Sequence, residues 1–499
     1  MKKKDTAMVM LIVTLGFLAI GFSAYYYVND VRITPIEDEV LRKEILNELD
    51  LLEYKEDESR PNKDDLQQLE SLVFDSHEKE EGETVRNLEG IEYATNLEEL
   101  IINRNEIDNL EPLESLTKLH TLNLSYFPWE GETYTEKPKG MIKDINPLKK
   151  LTSLRKLHLS DNEIRDISTL GNLEQLEELY LGNNQIDDIP TSFQNLKKLK
   201  TLYLTENKLT NIEPLEGLIG LEVLDLEKND IQDFSALEGL TSLKELNTIK
   251  NSENLTDLSF LKNLESLENL EISFPDGVDY SSIGQLPKLK FLTIFRSKVD
   301  SFDFLTPSNN LEEITMLANE LSSLDGIQHA KNLKNLHASS NNIKSLKPLK
   351  SLKELERLSL SDNEIKNLKP LKNLKKLKQL DLDKNRVSSI EPLEKLTKLN
   401  ELTLRKNKLK KIDTLKNLKF LKRLWLSGNK LTDIEVISSL ERLEMLGLED
   451  NKIEDFQAIS ELTELKRLWV EGNPDGERDS LLSDLKDHNG IIFIDVLED

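Results

Sequence analysis

The sequence predicts an α/β solenoid, on three observations. Apolar residues recur with a period of 22 from about Leu69 to Asn473; residues 355–376 read LERLSLSDNEIKNLKPLKNLKK and residues 377–398 read LKQLDLDKNRVSSIEPLEKLTK. Positions 4 and 6 of each unit are apolar between polar neighbours, the alternation of a short half-buried strand. Position 9 is Asn in most units, among them Asn162, Asn184, Asn207, Asn363, Asn385 and Asn429. It follows the strand, where the chain must turn inward, and a buried amide can satisfy turn backbone groups that have no ladder partner. Seven apolar side chains cannot by themselves offset the entropy of ordering 22 residues. Each unit must therefore stack on its neighbours, and the stack, residues 69–473 or about eighteen units, carries a parallel sheet along one side.

The pattern L-x-x-L-x-L-x-x-N, with Pro at position 16 (Pro112, Pro147, Pro214, Pro348, Pro370, Pro392), resembles the leucine-rich repeats, in detail the internalin-like bacterial class. The resemblance covers roughly four-fifths of the chain. It implies a horseshoe with the parallel β-sheet on its concave face, a helical N-terminal cap and a C-terminal cap. It also implies a bacterial cell-surface protein that recognises another protein.

Taken in order, residues 1–27 read as a transmembrane anchor or a signal peptide. Lys2, Lys3 and Lys4 precede Ala7–Tyr27, 21 residues without a charge. As a helix this stretch would be about 31 Å long, enough to span the hydrocarbon core. Tyr25, Tyr26 and Tyr27 suit the outer interface and the lysines the inner one, which makes the repeats extracytoplasmic on a single-pass anchor. The alternative is cleavage at Ala19-Ile20-Gly21 or after Ala24, leaving a secreted protein. Internalins are commonly secreted or wall-sorted, so an anchored chain departs from the class.

Residues 28–68 read as a tether and a helical cap, with Ile36, Val40, Leu41, Ile45, Leu49 and Leu52 at helical spacing. The acidity of this region reads as a solvated face. An insertion in the unit 119–153 carries Tyr126, Phe127, Trp129 and Tyr134, either a binding loop or a flap folded onto the solenoid. Units between 243 and 310 are irregular, with Pro275 and Ser297 at Asn positions. That loss is expected to loosen the turn and bend the arc or open a seam; simple repeat decay is the competing account. Residues 474–499 read as a C-terminal cap of helix and strand, with no sorting motif after it.

Charge and composition narrow the function. The formal net charge is −26, which disfavours nucleic acid as a partner. Cysteine is absent, excluding disulfides, thiolate metal sites and a Cys nucleophile. No two of the six histidines have metal-ligand spacing, and there is no phosphate-binding glycine loop or G-x-S-x-G. Asp381-x-Asp383-x-Asn385 imitates a calcium loop, but Arg386 stands where that loop needs Gly. No enzyme, cofactor or metal is expected. Residues 331–430 hold 27 Lys and Arg against 10 Asp and Glu, a net of +17. Many, such as Lys344, Lys347, Lys350 and Lys353, lie towards the convex side, as a solvated face or a contact for an anionic polymer or membrane.

Binding is expected on the concave face, where positions 3, 5 and 7 point away from the core. Trp and Arg are enriched at binding hot spots. Three consecutive strands present Arg423 and Trp425, then Met445, Gly447 and Glu449, then Arg467, Trp469 and Glu471. Two strand spacings place the tryptophans about 10 Å apart, with Gly447 leaving a slot between them. Tyr180 and Tyr203, and Phe291 and Phe295, face the same way. The expected ligand is a protein; a glycan or wall polymer, stacked in the slot, is the alternative.

Overall fold

Every repeat must reverse direction immediately after its strand, and among the described residues the backbone does so through a left-handed residue at position 8. Asp161 (φ 61°), Asp362 (φ 55°), Lys384 (φ 49°) and Lys406 (φ 53°) hold this conformation, and Gly428 (φ 68°) takes it without a Cβ penalty. The computed structural model describes residues 36–51, 61–74, 84–103, 105–126, 141–251, 257–273, 277–307, 310–317, 319–474 and 492–493. It contains two compact units, Met1–Leu221 and Glu222–Asp499.

In the first unit the helix Glu39–Glu48 is capped by Asp38, whose carboxylate accepts from Leu41 N–H at 2.9 Å, and buries Leu41, Ile45 and Leu46. The helix packs against the strand Ser71–Phe74. A second short helix, Lys63–Leu66, starts in a capping box of Asn62 and Asp65. Strands Ser71–Phe74, Glu99–Ile102, Thr121–Asn123, Lys156–His158, Glu178–Tyr180 and Thr201–Tyr203 then pair in parallel. Their buried centres, from Leu72 and Leu100 to Leu179 and Leu202, lie side by side.

The second unit repeats the ladder from Val223–Asp225 onward, in register through Leu224, Leu246, Leu270 and Leu292 to Leu446 and Leu468. Opposite the strands run short 3-10 segments, such as Lys347–Ser351 and Lys369–Asn373, each with Pro second. The imide suits the start of a helical turn, where no N–H is needed. Leucine and isoleucine columns between strands and 3-10 segments form the core.

The position-9 asparagines do more than close their own turns. The Asn363 amide donates to Leu360 O (3.1 Å) and Ser361 O (3.1 Å) in its own repeat, and to Ala338 O (2.9 Å) in the preceding one. Its oxygen accepts from Ile343 N–H at 2.8 Å, also in the preceding repeat. Asn385, Asn407, Asn429 and Asn451 repeat the arrangement. Each Asn therefore staples two repeats together.

At Ser297, where loosening is expected, the strand ladder keeps its register. The strand Phe291–Phe295 pairs in register with Asn269–Ile272 on one side and Glu313–Leu317 on the other. Ser297 N–H donates to Asn319 Oδ1 at 2.8 Å, and Asn319 donates onward to Ile294 O at 2.9 Å. The Asn of the next repeat thus keeps its staple, and the serine is short enough to leave it room. Pro275 lies outside the described residues, as do the apolar stretch 7–27 and most of 474–499. Among the described residues no helix is long and apolar enough to cross a membrane.

Candidate ligand-binding surface on the strand face

Five strands of the second unit, Asn335–His337, Arg357–Ser359, Gln379–Asp381, Glu401–Thr403 and Arg423–Trp425, are hydrogen-bonded in order. Strand alternation sends their outer residues to one face, so residues 22 apart in sequence stand in rows. One row is His337, Ser359, Asp381, Thr403 and Trp425. Together with Arg357, Gln379, Glu401 and Arg405 it lines an open depression of ≈ 430 Å³.

The polar lining is held from several sides. Asp381 accepts from Thr403 Oγ1 (2.6 Å), Ser359 Oγ (3.0 Å) and Asp383 N–H (3.0 Å). Asp383 accepts from Arg405 N–H (2.6 Å) and Arg405 Nε (2.5 Å), and the guanidinium carbon lies 5.8 Å from the Trp425 ring. Burial pushes the Asp383 carboxyl above the usual range, against the pull of Arg405. Glu401 accepts from Arg423 (2.7 Å) and Gln379 (3.1 Å). The Asp381-x-Asp383 pair is therefore engaged with hydroxyl and guanidinium donors, and no group of carboxylates and histidines fit to hold a metal occurs among the described residues.

The predicted tryptophan slot is closed. Trp425 and Trp469 are two strands apart, yet their ring centroids stand 4.6 Å from each other. The Trp425 ring lies over Gly447, where a Cβ would lie 2.5 Å from Trp425 Cε3. Gly447 supplies the missing side chain that lets them meet, and Trp469 is only 5% exposed. Glu449 accepts from Ser427 Oγ. Met445 is half-buried between the exposed Arg423 and Arg467, and Glu471 is exposed beyond them. Trp425 and Arg423 thus border the depression, while Trp469 packs behind Trp425 and away from it.

The remaining aromatic candidates stand apart. In the first unit Tyr180 stacks on Tyr203 at 4.8 Å and meets His158 at 4.2 Å. Burial pushes His158 below the usual histidine range and Tyr180 above the usual phenol range. In the second unit Phe291 is 43% exposed, and Phe295 is flanked by Lys250 at 5.6 Å and Arg296 at 5.2 Å. Tyr126 is half-buried, its N–H donating to Ser160 O at 3.1 Å. Trp129 and Tyr134 lie outside the described residues. The sequence reading missed His337, Ser359, Asp381, Thr403 and Arg405 as site residues; aligning successive units at positions 5 and 7 would have shown them as rows.

Two family descriptions match this geometry. A leucine-rich repeat region is found over residues 139–336, and paired leucine-rich repeats over 331–373, 353–395, 375–417 and 397–439. The chain belongs to the leucine-rich repeat proteins. No curated protein matches the sequence of this leucine-rich repeat chain. Among solved structures it is similar to the internalin InlF of Listeria monocytogenes, at 27% identity over 83% of this chain and 97% of that one, with a TM-score of 0.45. The functional domain of Listeria monocytogenes InlJ is 18% identical over 88% of this chain and 80% of that one, with a TM-score of 0.53. The ectodomain of the Arabidopsis receptor kinase HAESA, solved with an IDA peptide hormone ligand, is 20% identical over 81% and 70%, with a TM-score of 0.56.

Proposed function

We propose that this leucine-rich repeat protein is a non-enzymatic binding module, and that the strand face from His337 to Trp425 is where it holds a protein ligand. The observation that carries this reading is the held polar lining of the depression. Asp381, Asp383 and Arg405 are fixed before any ligand arrives, so little ordering entropy is lost on binding. Trp425 adds a half-exposed aromatic beside a guanidinium, the pairing common at hot spots. HAESA, on the same fold, was solved with a peptide hormone bound. Closure of the tryptophan slot removes the feature on which a glycan-binding alternative rested.

The same reading places the repeats outside the cytoplasm, anchored through residues 7–27 or released by signal cleavage. The test is capture of proteins by crosslinking on intact cells, with the wild-type chain and with Arg405→Ala and Trp425→Ala variants. Both variants are expected to lose the captured protein by about thirtyfold or more, the factor set by the roughly 2 kcal/mol of a hot-spot residue. Equal capture by all three chains, or capture of an envelope glycan in its place, refutes the assignment.

A further inference from the structure

We propose that the side of the second unit opposite its strands carries a binding site for a linear phosphate polyanion, spread over the repeats 333–354 and 355–376. This site is independent of the strand-face reading. Eight lysines form two matching columns there: Lys344, Lys347, Lys350 and Lys353 in one repeat, and Lys366, Lys369, Lys372 and Lys375 in the next. All eight are exposed. The 3-10 segments that carry Lys347 and Lys350, and Lys369 and Lys372, pack side by side. Successive lysines within a segment are about 6 Å apart along a 3-10 axis. Matching lysines of neighbouring repeats stand on segments that contact each other directly.

No neighbouring carboxylate neutralises these lysines. Lysines beside the strands of the same repeats are paired with a carboxylate one repeat away: Lys334 with Glu312 at 2.5 Å, Lys376 with Glu354 at 2.5 Å, Lys378 with Glu356 at 2.6 Å. In the first unit even a 3-10 lysine is paired, Lys150 with Glu114 at 2.9 Å. Among the described residues none of the eight makes an ion pair, and the one polar contact of their ammonium groups is Lys353 Nζ to Lys350 O at 2.7 Å. Eight like charges aligned repeat on repeat repel one another, in a chain whose net charge is −26. Packing does not require the arrangement, since the core below it is the same leucine column as elsewhere.

The neighbours of the patch define its ligand. The preceding repeat places an exposed Asp325 beside Lys347, and the following one places exposed Glu391 and Glu394 beside Lys369 and Lys372. At the position of Lys347 and Lys369 the run of lysine is therefore only two repeats wide, with acid on both sides, while Lys395, Lys398, Lys408, Lys410 and Lys411 carry positive charge on into later repeats. A flat anionic bilayer would be pressed onto those acids; a single extended chain lying along the columns avoids them. Single-stranded nucleic acid is held by aromatic stacking platforms, and residues 333–376 contain no Phe, Tyr or Trp. A flexible backbone of phosphates without bases is what remains, and its charges would meet the ammonium groups with release of counterions.

The experiment titrates end-labelled long-chain inorganic polyphosphate with the purified full-length chain at two salt concentrations. Tight binding that weakens steeply with salt is expected. A variant combining Lys347→Gln, Lys350→Gln, Lys369→Gln and Lys372→Gln should bind at least about tenfold more weakly and with a shallower salt dependence. A control combining Lys334→Gln and Lys378→Gln, from the paired set, should bind as the wild type does. All substituted side chains are exposed, so unchanged thermal unfolding checks that the variants fold. Equal binding by the fourfold variant and the wild type overturns the site. Tighter binding of a single-stranded oligonucleotide of equal charge, or lysine-dependent binding to phosphatidylglycerol vesicles without polyphosphate binding, overturns the ligand class.

Discussion

Replacing Asn363 with alanine tests the proposal that each asparagine staples two repeats. The side chain is 8% exposed, so water cannot take over its role without opening the turn. Removal strands the Ile343 N–H, which has the Asn363 oxygen 2.8 Å away. It also withdraws a donor from Ala338 O, at 2.9 Å, and from Leu360 O, at 3.1 Å. A buried unpaired group costs about 1–3 kcal/mol. An orphaned N–H sits at the upper end of that range, and the carbonyls, with a second lone pair each, lower. The expected total is about 2–4 kcal/mol, concentrated at the junction of two repeats. Repeat arrays unfold by neighbouring segments, so a single melting temperature is a poor readout. Amide hydrogen exchange is the better assay. The Ile343 N–H should lose protection by about thirtyfold or more, the factor that 2 kcal/mol sets. Repeats beyond 399 should keep theirs. Unchanged protection at Ile343 would refute the staple, because the amide would then have another partner.

Two further outcomes follow from the same geometry. Gly447→Ala places a Cβ 2.5 Å from Trp425 Cε3, so the ring must swing off Trp469; the expected cost is about 1–3 kcal/mol, with red-shifted tryptophan emission, and an unchanged spectrum and stability would show that the rings do not meet over the glycine. Glu444 takes Lys422 Nζ at 2.7 Å and Lys466 Nζ at 2.9 Å on its two oxygens, and these hydrogen bonds lower its pKa from the ordinary 4.5 to about 2. Its folded pKa lies below the unfolded one, so its stabilisation is present above pH 4.5 and is lost as pH falls towards 2. In Glu444→Gln, protection of the strands Arg423–Trp425 and Arg467–Trp469 should vary less across that window; equal pH dependence in both chains would count against the pairing.

The repeat was legible because one period repeats many times over. Apolar positions 4 and 6 marked each strand, and the asparagines marked each turn. The left-handed residue at position 8 was not, since Asp, Asn, Glu, Lys, Arg and Ser all occupy it, and what they share is a location that is half-buried or exposed and never part of the core. The staple between repeats was half read: the amide's own turn was expected, and its reach into the preceding repeat was not. At Ser297 the ladder keeps its register for a local reason. A turn depends on two asparagines, its own and that of the following repeat, and Asn319 was still in place.

The site divides along the same line. Strand spacing locates Cα atoms and says nothing of side-chain torsions, so two tryptophans two strands apart were read as the walls of a slot. A glycine between them removes the only Cβ that would have kept the rings apart, and apolar contact then closes them. The same glycine that suggested an opening is what seals it. One repeat earlier the opposite occurs: Thr403, Asp381 and Ser359 put polar, mutually bonded side chains in the matching row, which bind one another along the sheet and cannot collapse together as rings do. Openness on this face is therefore set by which side chains stand next to each other in consecutive repeats. That places the depression at the row from His337 to Thr403, with Trp425 as its aromatic border.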